Sequence, residues 1–261
     1  MQNRYTRDIG DFAKYGLLRT LCLPTEDNPY GLRLGVVWYL VPDEGNGDGR
    51  FTHYLEANDR NHKSYRIWDP VLYDALQRIG QNGRCVQAVR RSGILGISCS
   101  FYESILDWHG TTCMSDRVIF RQTWHKNAVE STKDCDVVFL DPDNGLECKV
   151  SRYDRKRGGK FVYMDEMTPY IERGQSVIVY QHLNRICSAE AQIHGWITLI
   201  QKQLGKTHRI FGLRWHRSSG RVFFVISAQQ HRPWLIERAK ILLAWHDGHG
   251  NKHFTPVGDW T

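Results

Sequence analysis

The sequence predicts an α/β fold: a doubly wound, mostly parallel sheet flanked by helices, with an antiparallel hairpin near the C-terminus. Three observations lead to this prediction. Apolar runs of strand length alternate with capped amphipathic segments along the chain. The first long run, residues 33–41, is almost entirely apolar, which is typical of a parallel strand buried on both faces. The last two runs, 208–216 and 221–227, are joined by a short turn, which predicts a hairpin.

Each further element follows from a local signal. Asp11 is an acceptable N-cap for a helix around 11–22, and Asp69-Pro70 begins a helix that Gly80 ends. Residues 100–103 have capping-box spacing and predict a short helix to 109. Further helices are expected near 123–131, 165–173, 188–204 and 233–246. Further strands are expected at 85–89, 117–121, 136–140 and 176–183, which makes a seven-stranded sheet in a three-layer arrangement.

The chain of 261 residues is long enough for one large domain, and the simplest division is a single domain over residues 1–261. Within it we expect a helical lead-in at 1–32 and a helical insertion after the first strand at 50–84. No apolar run approaches the ~20 residues of a membrane helix. The first residues lack a signal peptide's apolar core, and the seven cysteines contain no C-x-x-C pair. A cytoplasmic protein with reduced thiols and no membrane partner is expected.

The C-terminal residues carry no strand prediction. After the last predicted helix the sequence is polar, and His246, His249 and His253 stand at loose metal-like spacing. In a polar tail we expect such histidines to be exposed and without a function.

A buried strand in the middle of the chain ends in a dense group of polar residues. Residues 136–140 are followed by Asp141-Pro142-Asp143-Asn144-Gly145, with Glu147 just beyond. Ligands of doubly wound sheets bind at the carboxyl ends of the strands, so the architecture predicts an active site here. The same residues also make a good turn, and a purely structural role is the alternative.

The carboxylates at this edge suggest a metal ion. Two adjacent carboxylates both ionise readily only if a cation lies between them, and hard oxygen ligands suit Mg²⁺ or Mn²⁺. We expect a site built from Asp141, Asp143 and one acid of the loop after the first strand: Asp43, Glu44 or Asp48. His182, at the end of the fifth strand, would be a ligand or general base. Secondary candidates at the same edge are Asp11, Asn144, Glu147 and Glu166.

Basic residues follow the acidic stretch directly. A net charge of +7 suits a polyanionic partner, and the segment 149–160 would bind nucleic-acid phosphates through Lys149, Arg152, Arg155, Lys156, Arg157 and Lys160. Lys14 would act on the phosphate from the N-terminal helix. Phosphates held beside a metal site predict phosphodiester cleavage, in which the metal activates water and stabilises the leaving oxygen. A solvated basic face is the alternative for 149–160.

Several motifs resemble a known family. Residues 10–15, Gly-Asp-Phe-Ala-Lys-Tyr, resemble the N-terminal motif of large-subunit ribosomal RNA adenine-N6 methyltransferases. Tyr39-Leu40 with Gly45-x-Gly47 resembles their first glycine-rich loop, and residues 141–144 resemble their Asp-Pro-Pro-Tyr motif. Ser219-Gly220 and Trp234 resemble the end of that family. The resemblance implies a Rossmann-like (class I) methyltransferase fold, S-adenosylmethionine held at Gly45 and Gly47, and a target amine that donates a hydrogen bond to Asp141.

The departures from this pattern keep three functions open. The family implies an acid that holds the cofactor ribose at the end of the second strand, whereas Arg90 and Arg91 follow residues 85–89. Asp143 and Asn144 replace a proline and the aromatic residue that stacks on the target base. A divalent-metal-dependent nuclease is therefore expected first. The alternatives are an S-adenosylmethionine-dependent nucleic-acid N-methyltransferase and a non-catalytic nucleic-acid-binding protein. Toprim domains offer a chemical analogy, because their acidic motif has the spacing of Asp141, Asp143 and Glu147.

Overall fold

A computed structural model shows an α/β fold, compatible with a Rossmann-like one, whose mixed seven-stranded sheet is mostly parallel. It describes residues 1–45, 47, 49–56, 62–80, 83–107, 113–148, 156–205, 208–218, 220–247 and 249–261, without the side chains of 62, 63, 156 and 157. The main sheet contains β1 (Leu34–Trp38), β2 (Ser100–Tyr102), β3 (Val137–Asp141), β6 (Ser176–His182), β7 (Ile210–Trp215), β8 (Arg221–Ile226) and β9 (Phe254–Gly258). A two-stranded sheet pairs β4 (Gly145–Leu146) with β5 (Phe161–Val162).

The described helices alternate with these strands along the chain. They are α1 (Ile9–Cys22), α2 (His62–Arg66), α3 (Pro70–Ile79), α4 (Val86–Ser92), α5 (Met114–Ser131), α6 (Met164–Glu172), α7 (Ala189–Leu204) and α8 (Arg232–Leu242). Short 3₁₀ turns lie at Asn3–Tyr5, His53–Leu55 and Lys156–Lys160. Side-chain caps fix three of the starts, because Asp8, Asp69 and Ser188 each accept a backbone N–H from the first turn that follows.

The strand order is β2-β1-β3-β6-β8-β7-β9. The pairs β1–β2, β1–β3 and β3–β6 are parallel, whereas β8 runs antiparallel to both of its neighbours, and β9 pairs antiparallel with β7. The predicted hairpin is therefore confirmed. From β1 the sheet grows to β2 on one side and to β3 on the other, so the strand order reverses between β1 and β3. Ligands of open α/β sheets bind in the crevice at such a reversal.

Side chains of the strands alternate between two hydrophobic clusters. Val36 and Trp38 join one cluster with residues of α1, α3 and α8, whereas Val37 and Tyr39 join the other with residues of α5, α6 and α7. A strand that is buried on both faces has a continuous apolar run in its sequence, and this is why the central strands could be predicted. Helix α1 is buried on nearly all sides. It is consequently a firm support for any side chain that it directs to the sheet edge.

Three predicted elements are wrong. Residues 85–89 belong to helix α4, since Val86 and Val89 are three residues apart and are buried on one helical face. Residues 100–102 form strand β2 instead of starting a helix, because they pair with β1 and Phe101 stacks on Trp38 at 5.2 Å between ring centroids. Residues 117–121 lie inside the 18-residue helix α5 instead of forming a strand.

The C-terminal residues also differ from the expectation of a polar tail. Residues 254–258 form the edge strand β9, and His253 is completely buried rather than exposed. Its ring stacks between Tyr65 and Trp215, with ring centroids 5.2 and 5.3 Å away. Burial lowers the pKa of His253 to about 4, so the imidazole is neutral at physiological pH. It fills the core instead of binding a metal.

None of the helices within the described ranges has the length and apolar character needed to cross a membrane. The division into a single domain over residues 1–261, with a lead-in at 1–32 and an insertion at 50–84, stays a prediction.

Substitutions of Asp69 test whether its side-chain cap stabilises the start of helix α3. Its carboxylate accepts the Leu72 N–H at 2.9 Å and pairs with the Arg19 Nε at 2.6 Å. We expect Asp69→Ala to lower the free energy of unfolding by about 1–2 kcal/mol, because both interactions are lost. Asp69→Asn keeps the cap and should lose less. Urea titration measures both, with the exposed Asp27→Ala as the control; equal stability of Asp69→Ala and the wild type would contradict the assignment.

Candidate functional site

The polar loop after β3 is fixed by backbone pairing. Asn144 N donates to Lys160 O at 2.9 Å and Glu147 N donates to Val162 O at 2.8 Å, so the loop is tied to β5. Gly145 has φ +122°, and a Cβ there would stand 2.4 Å from the Gln181 Oε1 that accepts the Leu146 N–H. Glycine is therefore required at this position. The loop directs Asp141 and Asp143 from the carboxyl end of β3 in a fixed geometry.

A buried ammonium lies between two carboxylates at the centre of this edge. The Lys14 Nζ of α1 is 2.8 Å from Asp141 Oδ2 and 3.0 Å from Asp11 Oδ1, and all three side chains are almost completely buried. Three charges of this kind are tolerated away from water only because they pair with each other. The triad joins helix α1 to the end of β3.

Burial and pairing together raise the pKa values of Asp11 and Lys14. Burial raises the pKa of Asp11 to about 6, because Lys14 offsets only part of the desolvation and Asp141 adds repulsion. Burial alone would lower the pKa of Lys14, but Asp11 and Asp141 raise it above its ordinary value. Lys14 consequently stays charged, and Asp11 is the group that exchanges a proton near neutral pH.

A second ion-paired cluster holds Asp143. Its Oδ2 lies 3.1 Å from Lys160 Nζ and 3.0 Å from Gln2 Nε2, and the same Lys160 atom lies 2.7 Å from Glu44 Oε2. The α-amino group of Met1 is 4.0 Å from Asp143 Oδ1. Although burial opposes ionisation, these cations lower the pKa of Asp143, so the carboxylate is charged at physiological pH.

A third group of side chains is arranged around Asp8. Its Oδ1 accepts the Gly10 N–H at 3.0 Å and pairs with Arg221 Nη2 at 3.4 Å, while its Oδ2 accepts the Phe51 N–H at 3.1 Å. Tyr180, from β6, lies beside Arg221, and burial raises the pKa of its hydroxyl group. One carboxylate thus holds the start of α1, the start of β8 and the loop after β1 together.

These groups surround a cavity of about 670 Å³, within the range of ligand-binding clefts. It lies at the carboxyl ends of β3 and β6. Its lining includes Met1, Tyr5, Asp8, Gly10, Asp11, Lys14, Gly47, Gly49, Phe51, Asp141, Pro142, Asp143, Asn144, Tyr180, His182 and Arg221. Of the predicted site residues, the structure therefore brings together Asp11, Lys14, Gly47, Asp141, Asp143, Asn144 and His182.

Other predicted residues lie outside this lining. Asp43 accepts the Arg4 N–H at 3.2 Å on the surface, and Glu147 accepts the Met164 N–H at 2.8 Å. Glu166 is buried in an ion pair with Arg121, with Nε and Oε1 2.6 Å apart, on the opposite side of the sheet. Glu44 and Lys160 take part through Asp143, and Gly45 is exposed on the loop after β1.

The described residues contain no cluster of three or more His, Cys, Asp or Glu side chains that could hold a metal ion. Asp141 and Asp143 each have a lysine ammonium within 3.1 Å, so each of these carboxylates is paired with a cation of the protein. Asp48 and the basic residues Lys149, Arg152 and Arg155 lie outside the described part of the chain, as do the side chains of Lys156 and Arg157.

Several residues at this edge escaped the sequence reasoning. Asp8, Phe51 and Arg221 are far apart in sequence and carry no motif. Glu103 was missed for a different reason. The sequence predicted the second strand at 85–89, whereas the structure has it at Ser100–Tyr102, and Glu103 is the next residue. Its Oε1 accepts Arg90 Nη1 at 3.1 Å, and its buried Oε2 has no hydrogen-bond partner among the described residues.

No protein-family model matches this sequence, and no curated protein is significantly similar to it.

The raised pKa of Asp11 predicts a pH effect on stability. The folded-state pKa of about 6 exceeds the ordinary 3.8, so the folded protein holds this proton more tightly than the unfolded chain. The resulting stabilisation is complete below about pH 4 and is lost as the pH rises through about 6, which amounts to about 3 kcal/mol. In urea titrations, Asp11→Asn should flatten this part of the stability profile, whereas the exposed Asp116→Asn should not; an unchanged profile in Asp11→Asn would contradict the assignment.

Proposed function

We propose that the chain is an S-adenosylmethionine-dependent nucleic-acid N-methyltransferase on a three-layer, doubly wound scaffold. The observation that carries the proposal is Glu103. It gives the second strand of the sheet the terminal acid that the resemblance implies for the cofactor ribose, and its Oε2 is buried with no hydrogen-bond partner among the described residues. A buried carboxylate oxygen without a donor is costly, and a bound hydroxyl group would satisfy it.

The glycine-rich loop after β1 also fits this cofactor. A Cβ added at Gly45 or Gly47 would meet no described atom within 4 Å, and Gly47 lines the cavity. The loop therefore leaves open space next to its backbone. Strand β2 is the direct neighbour of β1, so Glu103 and this loop follow adjacent strands at the same edge of the sheet.

The reacting edge supplies an acceptor for the target amine. The Asp141 carboxylate is oriented by Lys14, and one of its oxygens, Oδ2, is the atom that Lys14 contacts. The other oxygen can accept a hydrogen bond from an exocyclic amino group and orient the nitrogen lone pair, while S-adenosylmethionine, when bound, supplies the methyl group. The basic segment 149–160 and the net charge of +7 suit a nucleic-acid substrate.

A divalent-metal-dependent nuclease is the second candidate. It is favoured by the convergence of Glu44 Oε2 and Asp143 Oδ2 on a single cation, the Lys160 Nζ. It now ranks lower for two reasons. The described carboxylates do not fit Mg²⁺ or Mn²⁺, because Asp141 and Asp143 are both ion-paired with lysines. In addition, Glu103 directly follows the second strand, where the resemblance implies an acid for the cofactor ribose. A non-catalytic nucleic-acid-binding protein is the outcome if neither activity is found.

Calorimetry with S-adenosylmethionine tests the cofactor. We expect wild-type protein to bind it and Glu103→Gln to bind it at least about tenfold more weakly, because a charged hydrogen-bond acceptor is lost. The matched control is Glu130→Gln, an exposed glutamate on α5 that pairs with Lys133. A wild-type protein that does not bind S-adenosylmethionine contradicts the proposal.

Radioactive methyl transfer to single-stranded DNA and RNA tests the chemistry. Asp141→Asn keeps an oxygen but loses the charge, and we expect transfer to fall by about 100-fold while cofactor affinity changes little. The same preparations, incubated with nucleic acid and Mn²⁺, test the second candidate. Cleavage that needs Mn²⁺ and is lost in Asp141→Asn, without methyl transfer, would replace the methyltransferase proposal by the nuclease.

A further inference from the structure

An aromatic ring stands at the mouth of the cavity with most of its surface exposed. Phe51 lines the cavity, and 63 % of its surface is accessible. Its backbone is held from both sides, since Phe51 N donates to Asp8 Oδ2 at 3.1 Å and Ile9 N donates to Phe51 O at 3.0 Å. These two hydrogen bonds fix the position of the backbone from which the exposed ring projects.

A guanidinium group is held at the same mouth by the same carboxylate. Arg221 lines the cavity and interacts with Asp8 and the Tyr180 hydroxyl group, and of its nitrogens Nη1 is buried without a hydrogen-bond partner among the described residues. Its Cζ would lie 2.5 Å from a Cβ on Gly10, so the group rests against the first turn of α1. A buried cationic donor that lacks a partner is costly, and an anion placed beside it would offset that cost.

We infer, on the basis of the proposed nucleic-acid substrate, that Phe51 and Arg221 form a nucleotide-binding subsite. The base stacks on the ring of Phe51, and the phosphate lies against Arg221. Stacking suits any base, because every base has a π face, and arginine is the side chain best matched to phosphate oxygens. Asp8 holds the backbone of Phe51 and the guanidinium of Arg221, and both residues line the same cavity, so both would contact one nucleotide.

The subsite also suits other residues of the cavity lining. The buried Asp141 and the exposed Asn144 both line the cavity, where they can hydrogen-bond the polar edge of a base that enters past Phe51. Asn144 occupies the place where the resembled family has its stacking aromatic residue, and asparagine cannot stack in that way. Phe51 would supply the missing aromatic surface from the loop after β1.

Calorimetry with AMP and adenosine separates the two contacts. Phe51→Ala should weaken both ligands by about tenfold, since stacking is lost for each. Phe51→Trp should retain both. Arg221→Gln should weaken AMP by about tenfold and adenosine by less than about twofold, because only AMP carries the phosphate. Arg221→Lys keeps a positive charge and serves as the second variant if Arg221→Gln does not fold.

Matched controls use an exposed ring and an exposed guanidinium elsewhere. Tyr30→Ala removes a ring that is 88 % accessible outside the cavity lining, and Arg33→Gln removes a guanidinium paired with Asp136 at the opposite end of the strands. Both should bind AMP like the wild type. Thermal unfolding midpoints establish that each variant is folded.

The outcomes are decisive in each direction. Unchanged AMP affinity in Phe51→Ala, or a wild type that binds neither AMP nor adenosine, overturns the subsite. Equal losses of AMP and adenosine in Arg221→Gln overturn the phosphate contact. If Phe51→Ala weakens S-adenosylmethionine as much as AMP, the ring belongs to the cofactor site and the inference is wrong. If S-adenosylmethionine does not bind but AMP binding depends on Phe51, the subsite stands and the methyltransferase proposal fails.

Discussion

The ion triad of Asp11, Lys14 and Asp141 is the interaction on which the arrangement of the site depends. It connects the first helix to the central parallel strand through charges that water barely reaches. Removing Lys14 would leave buried carboxylates without a compensating charge, which typically costs about 3–5 kcal/mol. The same triad sets the electrostatics of the cavity floor, because it keeps Lys14 charged and makes Asp11 the titrating group.

The position of this triad bears on the metal site expected from the sequence, which stays a prediction. Carboxylates that converge at a strand end need a cation, and that physical argument was sound. The cations are lysines, one from a helix more than a hundred residues earlier and one from the segment after β4. Sequence spacing does not show whether a lysine ammonium or a divalent metal ion pairs with the carboxylates. A lysine and a divalent ion satisfy the same electrostatic requirement, but they lead to different chemistry.

Much of the fold was predictable, and the errors have physical causes. Strands β1, β3 and β6 are long, buried on both faces and flanked by polar loops, so hydrophobic runs reveal them. Strand β2 has only three residues and is defined by pairing with β1, and a capping-box spacing at its start suggested a helix. Residues 117–121 are apolar enough for a strand, yet Arg121, Trp124 and Ala128 are buried on one face of a long helix. The error in β2 also hid Glu103, which directly follows that strand and lies outside the cavity lining.

The two edges of the main sheet are both unfavourable for pairing with another chain. One edge is the three-residue strand β2, and the other is β9, in which Pro256 pairs opposite Leu213 and has no amide hydrogen to offer outward. Edge strands that are short or contain proline offer few backbone N–H and C=O groups with which another extended chain could pair. In the described part of the chain, a sheet buried on both faces thus ends in two borders that offer few free backbone groups.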